Sequence, residues 1–174
     1  MHNRVRQFYE SITANFRRLD EDFLLDHLTK NQLVLFLKLS RSDAHHAIRV
    51  ARSLVSKAPE GLEADYARLG LLHDIGKVER PLLLPEKVAA VLLHKMLKGN
   101  LARYEKVSFI ASYLRHPERG RRILEERSVF PAHPEFYSVV SDHHGNLQEL
   151  IAKPEQGPAY REALIRLKEA DDQS

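Results

Sequence analysis

The chain has 174 residues, 43% of them hydrophobic, enough for one domain with a substantial core. Twenty-seven basic against 24 acidic residues leave a net charge of only +3, which argues against a nucleic-acid-binding tail, and the absence of cysteine excludes disulfides and thiolate metal ligands. Residues 1–7 carry positive charge without a following apolar run of signal-peptide length, and the longest apolar stretches, 33–37 and 88–93, fall far short of the about 20 residues a bilayer span needs, so a soluble, cytoplasmic protein with no membrane partner is expected.

Apolar residues recur three or four apart nearly throughout, which predicts an all-α chain. Val5, Phe8, Ile12, Phe16 and Leu19 form a first stripe, and Asp20 or Asp22 caps a second helix carrying Phe23, Leu24 and Leu28. Residues 32–39 read as helix because Val34 is their only β-branched residue. Ser42 is the expected cap of a helix holding His46, Val50 and Leu54, ended by Pro59-Glu60-Gly61, and 62–73 is the next. Pro81 and Pro85 mark a loop, 86–97 a helix stopped by Gly99-Asn100, and 101–115 and 117–127 two helices separated at Pro117. Helices over 134–144 and 159–172 complete the set. Without a repeat or linker, the expected organisation is one core domain, 41–174, with an N-terminal helical extension, 1–40, that caps the core or builds a homodimer contact.

The chemistry concentrates around His73-Asp74 in Leu71-Leu72-His73-Asp74-Ile75-Gly76-Lys77. Five further candidate ligands surround the pair in sequence: His46, His116, His143, His144 and Asp171. Imidazole and carboxylate suit zinc, iron, manganese and similar cations. Most histidines in most proteins bind nothing, but an imidazole beside a carboxylate where a helix stops is costly to bury without a compensating charge. His2, His27, His45, His94 and His133 lack such a context.

In their order along the chain these segments resemble the HD-domain metal-dependent phosphohydrolases, in the subgroup whose core reads His-Asp-Ile-Gly. His46-Ala47-Ile48-Arg49-Val50-Ala51 is similar to the family's opening helix, His73–Lys77 to its central motif, and His116-Pro117-Glu118-Arg119-Gly120 to its His-Pro-Glu segment. His143-His144 and Ala170-Asp171 stand where the subgroup has its doublet and closing Ala-Asp, with Asp172 as the competing register. The resemblance implies an HD-domain helical bundle with two divalent cations (iron, manganese, nickel, cobalt or zinc). One would be held by His46, His73, Asp74 and Asp171, the other by Asp74, His116, His143 and His144. It also implies hydrolysis of a phosphate ester, with Asp74 and Lys77 as catalytic residues and Lys77 and Arg49 on the substrate.

The Gly-Tyr-Pro signature of the cyclic-dinucleotide branch is replaced by Gly145-Asn146-Leu147, which argues against cyclic di-GMP. Ser42 stands where some relatives carry an extra glutamate ligand, which favours two metals over three. Arg103, Lys106, Arg115, Arg119, Arg121, Arg122 and Arg127 are expected to form a basic rim, and Lys87, Lys95 and Lys98 a lid. A nucleotide-like phosphorylated small molecule is therefore the expected partner. A di-iron oxygenase and a catalytically silent module binding a phosphorylated ligand are the alternatives.

Overall fold

The computed structural model describes residues 18–97 and 103–174, within which nine α-helices and one short 3-10 helix follow one another with no strand, the all-α class expected. The helices are α1 (Glu21–His27), α2 (Lys30–Phe36), α3 (Arg41–Val55), α4 (Glu63–Leu72), α5 (Leu84–Met96), α6 (Ser108–Glu126), α7 (Glu135–Asp142), α8 (Leu147–Ile151) and α9 (Pro158–Gln173), with η1 (Ile75–Glu79) between α4 and α5. The expected first stripe from Val5 to Phe16, the stop at Gly99-Asn100 and the proposed lid residue Lys98 lie outside the described residues, as do the side chains of Lys87, His94 and Lys95.

Asp20, not Asp22, caps α1 by accepting the Phe23 N–H at 3.2 Å. Thr29 and Gln32 form a capping box on α2, answering two of the N–H groups that a helix start leaves unpaired. The cap of α3 is Ser40 rather than Ser42: its hydroxyl accepts from Asp43 N at 3.2 Å, so the helix begins a turn's fraction earlier than expected. Pro85 lies in the first turn of α5 instead of the preceding loop, where its missing N–H costs nothing. The five-residue α8, capped by Asn146, has too short an apolar pattern to be read from sequence.

The larger correction concerns Pro117. Residues 108–126 form one continuous helix with the proline inside it. A proline in this place removes one N–H bond, to the carbonyl four residues back, which is that of Tyr113. His116 Nδ1–H bonds that carbonyl at 2.7 Å, so the helix continues without leaving an acceptor bare.

Helices α3 and α4 form an intimate pair, α6 lies across η1 and α7, and α9 packs on α7 and α3. Two glycines set these approaches. A Cβ on Gly70 would come within 2.5 Å of Ala51 Cα, and one on Gly76 within 1.9 Å of the His116 carbonyl oxygen. Only a residue without a side chain lets η1 sit against the middle of α6. Leu54, Leu69, Leu72, Phe130, Phe136, Val140 and Leu164 fill the core, and Leu24, Leu35 and Phe36 of the first 40 residues belong to the same hydrophobic cluster. The described part of the N-terminal segment thus contributes side chains to the core.

Candidate metal centre

Helices α4, α7 and α9 all end at one place. His73 is the C-terminal cap of α4, His143 that of α7, and Asp171 stands in the last turn of α9. The carbonyl ends of helices carry partial negative charge, so three of them converging favour a cation. Asp74 follows His73 in the tight passage from α4 to η1, and His116 reaches it from the middle of α6.

Two ligand groups result, sharing Asp74: Asp74, His116, His143 and His144 in one, His46, His73 and Asp74 in the other. Asp171 adjoins the second, its Oδ1 accepting from His46 Nε2–H at 2.8 Å and lying 3.8 Å from His73 Nε2. Asp172 is exposed. All seven ligands expected from sequence therefore lie together, and the rings of His46, His73, His143, His116 and His144 form a continuous chain with neighbouring centroids 5.0–5.8 Å apart.

Protonation makes this arrangement more than a cluster. His73 Nδ1 is 2.8 Å from the Gly70 carbonyl, His116 Nδ1 is 2.7 Å from that of Tyr113, and His143 Nδ1 is 2.6 Å from that of Val140. A carbonyl only accepts, so each Nδ1 carries the hydrogen and each neutral ring presents a bare Nε2 lone pair. Those lone pairs face a carboxylate. His116 Nε2 and His143 Nε2 lie 3.1 and 3.7 Å from Asp74 Oδ1, and His73 Nε2 lies 3.5 Å from Oδ2. His73 Nε2, His143 Nε2 and Asp74 Oδ1 have no hydrogen-bond partner among the described residues. Acceptors aimed at acceptors in a site where His73 is 0% and Asp74 2% exposed are what a cation would satisfy, and the donor set fits one.

The local sequence explains the three anchors. Helix ends leave their last carbonyls without an intrahelical donor, which frees Gly70 O for His73 and Val140 O for His143. His116 is mid-helix, and there Pro117 withholds the N–H that would have taken Tyr113 O. Lys168 on α9 donates to the His143 and Gly145 carbonyls at 2.7 and 2.9 Å, pinning the doublet one turn before Asp171. His144 differs from the others: its residue is exposed, and with the His116 Nε2 lone pair 3.1 Å away its own Nε2 must carry the hydrogen.

Burial pushes the His73 imidazole down to about 4, against the pull of Asp74 and Asp171, so it is neutral near pH 7. Burial also holds His116 below its ordinary value. For Asp74 burial works the other way, yet Lys77 and the surrounding rings keep the carboxylate well below the usual range. Asp171 is likewise lowered despite burial, by its bond from His46.

Lys77 sits in η1, not on a continuing α4. Its ammonium pairs with Asp74 Oδ2 and lies 3.8 Å from Asp43 Oδ1, and these carboxylates raise its pKa although burial opposes the charge. Arg49, one turn past His46 on α3, is half-buried and is not among the residues lining the cavity beside Lys77. The expected basic rim is largely neutralised: Arg115 pairs with Glu105, Arg119 and Arg122 with Glu79, Arg121 with Glu125, and Arg127 with Glu126. Asp43 was not anticipated. Its signal is its place three residues before His46, on the same helix face.

No family model, curated protein or solved structure matches the chain. The described residues contain no helix long and apolar enough to cross a membrane.

Proposed function

We propose that the chain is a metal-dependent phosphohydrolase of the HD-domain type with a binuclear centre, acting on a nucleotide-like or other phosphorylated small molecule. The observation that carries this reading is the buried Asp74 carboxylate facing three imidazole lone pairs, each fixed by a carbonyl behind it. Oδ1 of Asp74 faces His116 and His143 while Oδ2 faces His73, so its two oxygens are already divided between two ligand groups. His46, His73, Asp74 and Asp171 would hold one divalent cation and Asp74, His116, His143 and His144 the other. The residue types accept iron, manganese, nickel, cobalt or zinc. Two such ions supply an activated water and neutralise phosphate charge when bound.

The chain's own residues do the rest. Lys77 brings an ammonium to the edge of Asp74, where it orients an anionic phosphoryl group and stabilises charge developing on it. Arg49 is assigned to the substrate as a second cation. His73, His116 and His143 are buried, which keeps water from their faces, while His46, Lys77, Asp171 and His144 border the more open parts of the site. Lys77 favours an anionic substrate, and so hydrolysis over oxygenation of an uncharged one.

Metal analysis and phosphate release on protein purified without chelator test the reading, wild type beside Asp74→Ala, with nucleotides and an aryl phosphate as substrates. Two metals per chain and metal-dependent release that Asp74→Ala abolishes are expected. Metal without release would move the assignment to an oxygenase or a silent binding module, and no metal after reconstitution would overturn it.

A further inference from the structure

One cavity adjoins the candidate metal centre. Lys77 and His116, both touching Asp74, belong to its lining, with Asp43, Arg80, Leu82, Ser112 and Tyr113. Its volume is about 140 Å³, and a cavity of about 150 Å³ is known to hold benzene. One six-membered ring fits such a space, whereas a whole nucleoside exceeds it.

The wall that an occupant would meet is mostly apolar, although most of the lining residues carry polar groups. Those groups are already engaged. The Ser112 hydroxyl donates to the Arg80 carbonyl at 3.0 Å. Arg80 Nη2 donates to Glu86 Oε1 at 3.0 Å, and its Nη1 is buried, out of reach of anything in the cavity. Asp43 takes the Ser40 hydroxyl and faces the Lys77 ammonium at 3.8 Å. His116 donates from Nδ1 to the Tyr113 carbonyl at 2.7 Å and turns Nε2 to Asp74. What is left for an occupant is carbon surface, of the kind that Leu82, Tyr113 and the methylene stem of Lys77 supply. A sugar hydroxyl, an amide edge or a second anion placed there would lose its water without gaining a partner. An apolar ring loses nothing in the same exchange and is favoured by leaving water.

We propose that this cavity takes a ring-sized, uncharged apolar group, the organic group esterified to the scissile phosphate, and so selects compact aryl or arylalkyl phosphate monoesters over nucleotides and sugar phosphates. This assignment rests on the hydrolase reading for the position of the phosphate, with Lys77 as the residue common to the phosphate and the cavity. Leu82 is the apolar side chain that sets the preference.

Three non-hydrolysable probes test the assignment by calorimetric titration of the metal-loaded protein: methylphosphonate, phenylphosphonate and 2,3-dihydroxypropylphosphonate. Wild type is expected to bind phenylphosphonate roughly tenfold or more tighter than either of the others, as burial of an apolar ring implies. Leu82→Asp, which brings a carboxylate to the cavity, should remove that advantage. Leu82→Ala, which enlarges the cavity without adding charge, should move the preference toward 1-naphthylphosphonate. Equal binding of phenylphosphonate and methylphosphonate by wild type would overturn the assignment. So would tightest binding of the dihydroxypropyl probe, because the cavity would then read hydroxyls, or a ring advantage unchanged in both variants, because the ring would then lie elsewhere. Benzyl alcohol, which has no phosphate, probes the cavity without metal: titrated into metal-free protein, it should shift the NMR signals of the Leu82 methyls and the Tyr113 ring, and unmoved signals would count against the cavity. A chain that takes up no metal yet shows those shifts loses the hydrolase reading and keeps the apolar site. One that takes up metal and releases phosphate without preferring the ring keeps the hydrolase reading and loses the subsite.

Discussion

Helix α6 carries two dense clusters of titratable groups. On its surface Arg115, Arg119 and Arg122 meet Glu79 and Glu105, each cation against an anion, as in Arg119–Glu79 at 3.4 Å. Within the fold His116 and His143 meet Asp74, and there acceptors face acceptors. The surface cluster is balanced and solvated, worth little to stability and of no evident chemical use. Its buried counterpart is unbalanced in a place where imbalance is expensive. Density of charged residues thus separates nothing, whereas charge imbalance under burial marks the site.

The contrast is broken most severely at Gly76. Gly76→Ala would drive a methyl group into the His116 carbonyl, forcing η1 off α6 and Asp74 away from its ligands. A loss of about 4 kcal/mol or more is expected, read as a fall in Tm of more than roughly 10 °C. A variant melting with wild type would refute the close approach.

Acid should distinguish the clusters next. Unfolded chain takes up a proton at His73 near pH 6.5, and folded metal-free chain only near 4, so stability is present above that window and falls as pH drops through it. The expected loss is about 3 kcal/mol by urea titration of metal-free protein, with the depressed Asp74 adding to it at still lower pH. Replacing His73 by Gln should flatten that part of the profile, and a profile unchanged by the substitution would count against burial of the neutral ring.

A finer break concerns Pro117. Pro117→Ala restores an N–H that competes with His116 Nδ1 for Tyr113 O. Nitrogen NMR of the metal-free protein should show His116 losing its Nδ1–H tautomer while His73 and His143 keep theirs, and metal affinity should fall about tenfold. An unshifted His116 tautomer would leave the proline without this role. The smallest effect belongs to the surface: Arg122→Ala should change stability by no more than about 0.5 kcal/mol, and a larger loss on denaturation would erase the contrast.

Much of this was legible in the residues. Helical periodicity marks most of the elements, because 3.6-residue spacing is a local property, and the seven candidate ligands are picked out by their order along the chain and the family resemblance that order carries, the register of Asp171 over Asp172 included. In the sequence Pro117 reads as a break, because the donor that rescues its helix is the side chain of the preceding residue, which no propensity describes. Ser40 displaced Ser42 as a cap because both residue types qualify and only geometry chooses.

By itself the sequence determined the all-α class, the absence of thiolate chemistry, and which imidazoles and carboxylates were available to a cation. Tertiary structure decided how they face one another: that α4, α7 and α9 end together, that three rings bond carbonyls through Nδ1, and that the arginines of the expected basic rim are spent on glutamates. Those are consequences of contacts between residues up to 125 positions apart, such as His46 and Asp171. Local pattern carries no information about such pairs, because their distance is set by how whole helices pack.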